Sequence, residues 1–175
     1  MFDYRTYLDF AESYIQMAEE RSQSIQRIEF SLIPSILLSW IAIEFFINNM
    51  LDDFGSLPED MFELHERAFL LEKKLKFVNH GDNLGKFVLD QTEYRRLEDK
   101  IFFLISKFSP TKHSFKGDTL WQNFERFRDL RNKIMHPRKQ TDLQISVDEA
   151  IEHHRTAKNI IKFVSDHVWG RPVQI

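Results

Sequence analysis

There is no cysteine in this chain of 175 residues, which removes disulfides, thiolate metal sites and cysteine nucleophiles together. Glycine and proline are scarce, five of each, too few for a long flexible or proline-rich linker. Charge of one sign is not in excess: 24 basic against 27 acidic side chains leave a formal net charge of -3. A general affinity for nucleic acid is therefore not written into the whole chain, and any such role must come from local charge. The opening "MFDYRTYLDFAESY" has no basic stretch leading into an apolar run, so no signal peptide is expected. No HExxH spacing occurs, and "HGDNLGKF" at 80–87 lacks the four-residue gap of a phosphate loop. It reads as a turn.

What the chain does have is aromatic bulk, with 17 Phe, 4 Tyr and 3 Trp. An apolar fraction of 42% and a charged fraction of 29% are those of a soluble globular protein. The length suits one hydrophobic core, and a single domain over 1–175 is expected. The most apolar stretch, "SLIPSILLSWIAIEFFINNML" at 31–51, approaches membrane-spanning length but contains Pro34, Glu44 and two asparagines. A lone spanning helix with a central carboxylate would be costly. A buried core helix, no membrane association and a cytoplasmic location are expected.

Helical periodicity covers most of the chain. One helix is predicted over about 4–26, with Tyr4, Leu8, Ala11, Ile15 and Ala18 on one stripe, and a second over about 31–53. A third spans about 59–78 on Met61, Leu64, Ala68, Leu71, Leu75 and Val78. The stretch 79–91 is a loop with room for a brief extended piece. A fourth helix covers about 92–108 with Tyr94, Leu97, Ile101, Leu104 and Phe108, and a fifth begins near Asp118 or Thr119 with Leu120, Phe124, Phe127, Leu130 and Ile134. It should stop at His136, since a residue before proline is driven out of helical geometry. The sixth opens on a capping box, Ser146 with Glu149, and runs to about 167 with Ala150, Ala157, Ile161, Val164 and Val168 inward. The expected fold is all-α, an antiparallel bundle of five to six helices.

The segment "RDLRNKIMHPRK", 128–139, departs from the average. Between 126 and 139 six basic residues (Arg126, Arg128, Arg131, Lys133, Arg138 and Lys139) face one acid, Asp129, a local balance of +5. A solvated helix face is the ordinary reading of such a cluster. Arg131 lies about 20° from Phe124 around the helix, so its guanidinium leaves from the flank of the apolar stripe and requires a partner if buried. Glu44, stranded on the stripe of Leu37, Trp40 and Ile47, is one candidate; another basic group or a tyrosine could equally answer it. A bidentate carboxylate would fix the arginine fork. Asn132 and His136 are one turn apart and share a face. The helix dipole favours a protonated His136 while Arg128, Arg138 and Lys139 oppose it, as suits a residue that takes and gives protons. About 140° separates Arg131 from His136 around the axis. They converge only through arginine length, fraying at the proline, or a second subunit.

Such a set suits phosphodiester cleavage without a metal: fixed positive charge for the phosphate, a base for the 2'-hydroxyl, and cations along the backbone. The string Arg131-Asn132-Lys133-Ile134-Met135-His136 resembles the signature of the HEPN family (higher eukaryote and prokaryote nucleotide-binding domains), an arginine, four to six residues and a histidine near the end of a late helix. The resemblance implies a cofactor-free endoribonuclease, leaving 2',3'-cyclic phosphate ends, often a toxin or defence effector and often a homodimer restrained by an antitoxin or regulatory partner. Arg131 would stabilise the phosphate, His136 would serve as base or acid, Asn132 would orient one of them, and Glu44 would support the arginine. Arg128, Lys133, Arg138 and Lys139 would bind RNA. The alternative is a non-catalytic HEPN-like module that binds a nucleotide or a protein.

The remaining histidines do not suggest a metal. His153 and His154 are adjacent and point about 100° apart on a helix, and Glu152 beside them lacks chelating spacing. Surface or satisfied core histidines are expected. Trp121 and Trp169 could stack on a base, but packing anchors are the expectation.

Overall fold

The computed structural model describes residues 3–20, 25–110, 117–137 and 145–175, with side chains for all of these except 25–30. The fold is mostly helical, as expected of an all-α bundle: α1 (Tyr4–Glu20), α2 (Ile25–Gly55), α3 (Leu64–Leu70), α4 (Leu97–Phe108), α5 (Thr119–Met135) and α6 (Val147–Trp169). A short 3-10 turn, Glu59–Met61, precedes α3, and one antiparallel hairpin, β1 (Lys73–Phe77) with β2 (Phe87–Thr92), separates α3 from α4. The chain forms two compact units, Met1–Phe46 with Ile105–Ile175, and Ile47–Leu104.

The first unit is built on stripes read from the periodicity. In α1, Leu8, Ala11, Ile15 and Ala18 are buried, and Tyr4 meets the ring of Phe46 edge-on at 5.0 Å. The second helix starts at Ile25, earlier than predicted, which moves Pro34 from a first turn into the helix interior. A proline there removes one backbone donor. The helix continues because tertiary burial outweighs that loss: Leu32, Ile36, Trp40, Ile43 and Phe46 are all sealed. Ser31–Gly55 is long and apolar enough to cross a membrane, and 56% of its most apolar window is buried within the protein.

In α5 the buried face is Trp121, Phe124 and Phe127. Leu120, Leu130 and Ile134 are only half-buried, so the stripe is turned toward the indole that periodicity alone left aside. The sixth helix starts as predicted at its Ser146 N-cap, whose Oγ accepts the Glu149 N–H at 3.1 Å, the serine half of the expected capping box. Its end, at Trp169, is capped by Gly170 in the left-handed region at φ 67°, where a side chain would be strained. Ala150, Ala157, Ile161 and Val164 point inward, as do His153, His154 and Ile160. Val168 is half-buried.

The second unit corrects the predicted third helix. That helix ends at Leu70, and residues 73–77 form β1 instead. Apolar spacings of three and four over so short a window fit either element, and pairing with a distant strand decides it. Leu75 faces Leu89 and Phe77 faces Phe87 across the hairpin, the last two rings 5.4 Å apart. Val88 and Leu89 lie inside the stretch 79–91, where the sequence predicts a loop with room for a brief extended piece. The fourth helix begins at Leu97, so Tyr94 stands outside it and is 86% exposed.

Glu72 ties the hairpin to α4. It sits at positive φ, 49°, between α3 and β1. Its carbonyl accepts the Glu93 N–H at 2.7 Å, and its carboxylate accepts the Arg95 N–H and meets Lys100 Nζ, both at 2.9 Å. Burial pushes the carboxyl up, but the Arg95 N–H and the Lys100 ammonium overcome this and hold it below the usual carboxylate range. Lys100 is nearly sealed, with Asn48 Oδ1 as its second partner at 2.8 Å. Glu72→Gln is therefore expected to lower unfolding stability by about 2–3 kcal/mol, because it leaves a buried ammonium without its counter-charge. Urea denaturation at neutral pH checks this, and an unchanged midpoint would refute it.

Candidate functional site

The site grows from the contact of α2 with α5. The indole of Trp40 lies flat against Phe124, centroids 5.3 Å apart and planes 14° off parallel, while Phe127 meets it edge-on at 5.3 Å. Two phenylalanine rings thus fix the indole, and its Nε1–H donates to Glu44 Oε1 at 2.7 Å, one turn along the same helix. A short bond to a carboxylate is among the stronger neutral-to-charged pairs. Glu44 is thereby aimed.

Arg131 meets this pair from α5. Its guanidinium carbon stands 5.6 Å from the centre of the Trp40 ring, and Nη2 is 3.7 Å from Glu44 Oε1. Nη1 donates to Asn132 Oδ1 at 3.1 Å. The sequence-level pairing of Glu44 with Arg131 is thus present. It is not bidentate: one oxygen, Oε1, serves both the indole and the guanidinium. Side-chain exposures of 29% for Arg131 and 38% for Glu44 place the pair at the rim. An ion pair that wet contributes about 0–1 kcal/mol, and an exposed cation–π contact about 0.5–1 kcal/mol. Several weak holds, not one strong one, orient the guanidinium.

His136 closes α5. Its backbone N–H bonds the Asn132 carbonyl at 2.9 Å, and its φ of -132° has left the helical range, the exit that Pro137 enforces. The imidazole is exposed, as are Asn132 and Lys133. Among the described residues no hydrogen bond or ion pair joins Arg131 to His136, in keeping with the wide angle between them. Arg128 is half-buried and takes Asp129 as partner through Nε and Nη2 at 3.1 and 3.0 Å. The local positive field is therefore trimmed at its start. Arg138 and Lys139 lie outside the described residues.

Two histidines carry more than the sequence indicated. His154 is buried, its Nδ1 3.0 Å from Ser39 Oγ and its Nε2 3.8 Å from Glu12. Burial first, and the neighbouring Lys158 second, push it down to about 4. His153 stacks on Phe127 at 4.9 Å, and burial pushes it down as well. Trp40 was also missed as the organiser of the site. Its signal was the four-residue spacing to Glu44, which puts a donor and an acceptor on one face. Among the described residues no cluster of three or more His, Asp or Glu could hold a metal ion. Trp121 is a core anchor against Phe124, whereas Trp169 is half-exposed beside Phe46. No family model, no curated protein and no solved structure matches this chain.

Proposed function

We propose that this protein is a metal-independent endoribonuclease of the HEPN type, in which Arg131 stabilises the phosphate and His136 moves the proton. The observation that carries the proposal is the setting of Arg131: a guanidinium held at a helix flank by Trp40, Glu44 and Asn132, one helical turn and a half before an exposed histidine. A merely solvated arginine has no use for three orienting groups. Held this way, the fork keeps donors available to a phosphate oxygen at little reorganisation cost. The 2'-hydroxyl attacks the adjacent phosphorus, its proton passes to a base, and the 5'-oxygen leaves with a proton from an acid. Products are a 2',3'-cyclic phosphate and a 5'-hydroxyl. His136 takes one of the two proton roles, and a second copy of the chain in a homodimer supplies the partner group that the angle between Arg131 and His136 denies within one chain. Lys133, with Arg138 and Lys139, holds the RNA backbone.

The test is RNA cleavage in EDTA by the wild type, Arg131→Ala and His136→Ala, with analysis of product ends. Cyclic phosphate ends that disappear in both folded variants support the proposal. No cleavage of diverse RNAs, or cleavage that survives both substitutions, overturns it.

A further inference from the structure

A cleft of about 540 Å³ opens between α5 and α6, on the side of α5 away from Arg131. Its walls are chemically unlike. From α5 come the cations Arg126 and Lys133, with Asp129; from α6 come Glu149, Glu152 and His153. Asp129 is taken by Arg128. Glu152 accepts from Asn123 Nδ2 and Arg155 Nη1, each at 3.1 Å. Among the described residues, the Glu149 carboxylate has only the distant His153 Nε2, 3.9 Å away and beyond hydrogen-bond reach. His153 is itself an unsatisfied group: its side chain is 8% exposed, and its Nδ1 is buried with no hydrogen-bond partner. A polar ring left that way at a cleft wall is uncommon in a settled core.

Among the described residues, the cleft side chains left over are thus one carboxylate on α6 opposite two cations on α5, across a space large enough for a nucleotide. We propose that this cleft is a guanine-nucleotide site, in which Glu149 accepts from the base N1–H and N2–H, Arg126 donates to O6 and N7, and Lys133 meets the phosphate. Guanine is singled out by its edges. It alone among the four bases offers two adjacent donors to one carboxylate, and its O6 and N7 are acceptors suited to an arginine fork. Adenine and cytosine present one amino donor beside a ring acceptor that a carboxylate repels. Uracil offers a single donor between two carbonyls.

Lys133 and His136 are three residues apart and share a face of α5, so a phosphate on Lys133 leads toward His136. Cutting next to guanosine follows from this, and that one consequence rests on the nuclease reading; the binding does not.

The experiment is calorimetric titration of the whole protein with the 5'-monophosphates of guanosine, inosine, adenosine, cytidine and uridine, repeated on Glu149→Gln and His136→Ala. Guanosine monophosphate is expected to bind about tenfold tighter than inosine monophosphate, which lacks only the 2-amino group. Glu149→Gln should erase that preference while the protein stays folded, and His136→Ala should keep it. Equal affinities for all five, no heat at millimolar ligand, or a preference that survives Glu149→Gln each overturn the site. A protein that discriminates guanine but cuts no RNA would retain this cleft and lose the nuclease. One that cuts RNA without discriminating would do the opposite.

Discussion

His136→Ala is expected to lower the rate of RNA cleavage by about 10²–10⁴-fold, the usual contribution of a positioned general acid or base. Arg131→Ala should cost a comparable factor, since removing one preorganised donor at a developing oxyanion costs about 10²–10³. Arg131→Lys tests geometry more sharply. An ammonium keeps the charge but cannot lie over Trp40, bond Asn132 and present a second donor together. Most of the loss should therefore persist in Arg131→Lys. Rates within about threefold of wild type for the lysine variant would mean that charge alone matters and that the Trp40–Glu44 setting is incidental. Because His136 is exposed, its replacement should leave the melting temperature where it was.

The second large effect is on stability in acid. His154 has an ordinary value near 6.5 when unfolded and about 4 when folded. Below pH 6.5 the unfolded chain therefore binds a proton that the folded chain refuses, and stability falls as pH drops toward 4. At pH 5 the loss is about 2 kcal/mol, a serious fraction of a typical domain's margin. His153, also pushed down by burial, adds a loss of the same sign. Among the described residues, Glu12 and Asp9 from α1 favour the proton, Lys158 from α6 opposes it, and burial decides. Glu12 does not reverse the outcome, because its own carboxylate is committed to Lys158 at 3.1 Å. Urea unfolding at pH 7 and pH 5 measures the drop. His154→Gln, which cannot titrate, should lose about that much less between the two pH values, and a wild type with no drop would refute the argument.

Much of the first unit was legible from spacing. The stripe of α1, the stop of α5 before Pro137 and the Ser146 cap of α6 are local consequences of side-chain type, and local rules find them. Glu44 was legible as an anomaly, a carboxylate on an apolar stripe. What could not be read was which oxygen would serve which donor, because that depends on how Trp40 is wedged between Phe124 and Phe127. The hairpin was missed for a different reason: Leu71, Leu75 and Val78 satisfy a helical period, and only the partner strand 87–92 disqualifies it. His153 and His154 looked like ordinary histidines because burial is a tertiary fact. In each case the missing information belonged to a residue far along the chain.

That distance has a consequence for the order of assembly. The Ser39–His154 contact spans 115 positions, whereas the hairpin closes through a short loop between residues 77 and 87. Short closures are cheap in entropy and quick, and distant ones come late. On a ribosome, Trp40 and Glu44 emerge well before Arg131 and before the two phenylalanines of α5 that hold the indole. The protein acquires its arginine setting only when α5 has left the tunnel and closed on α2.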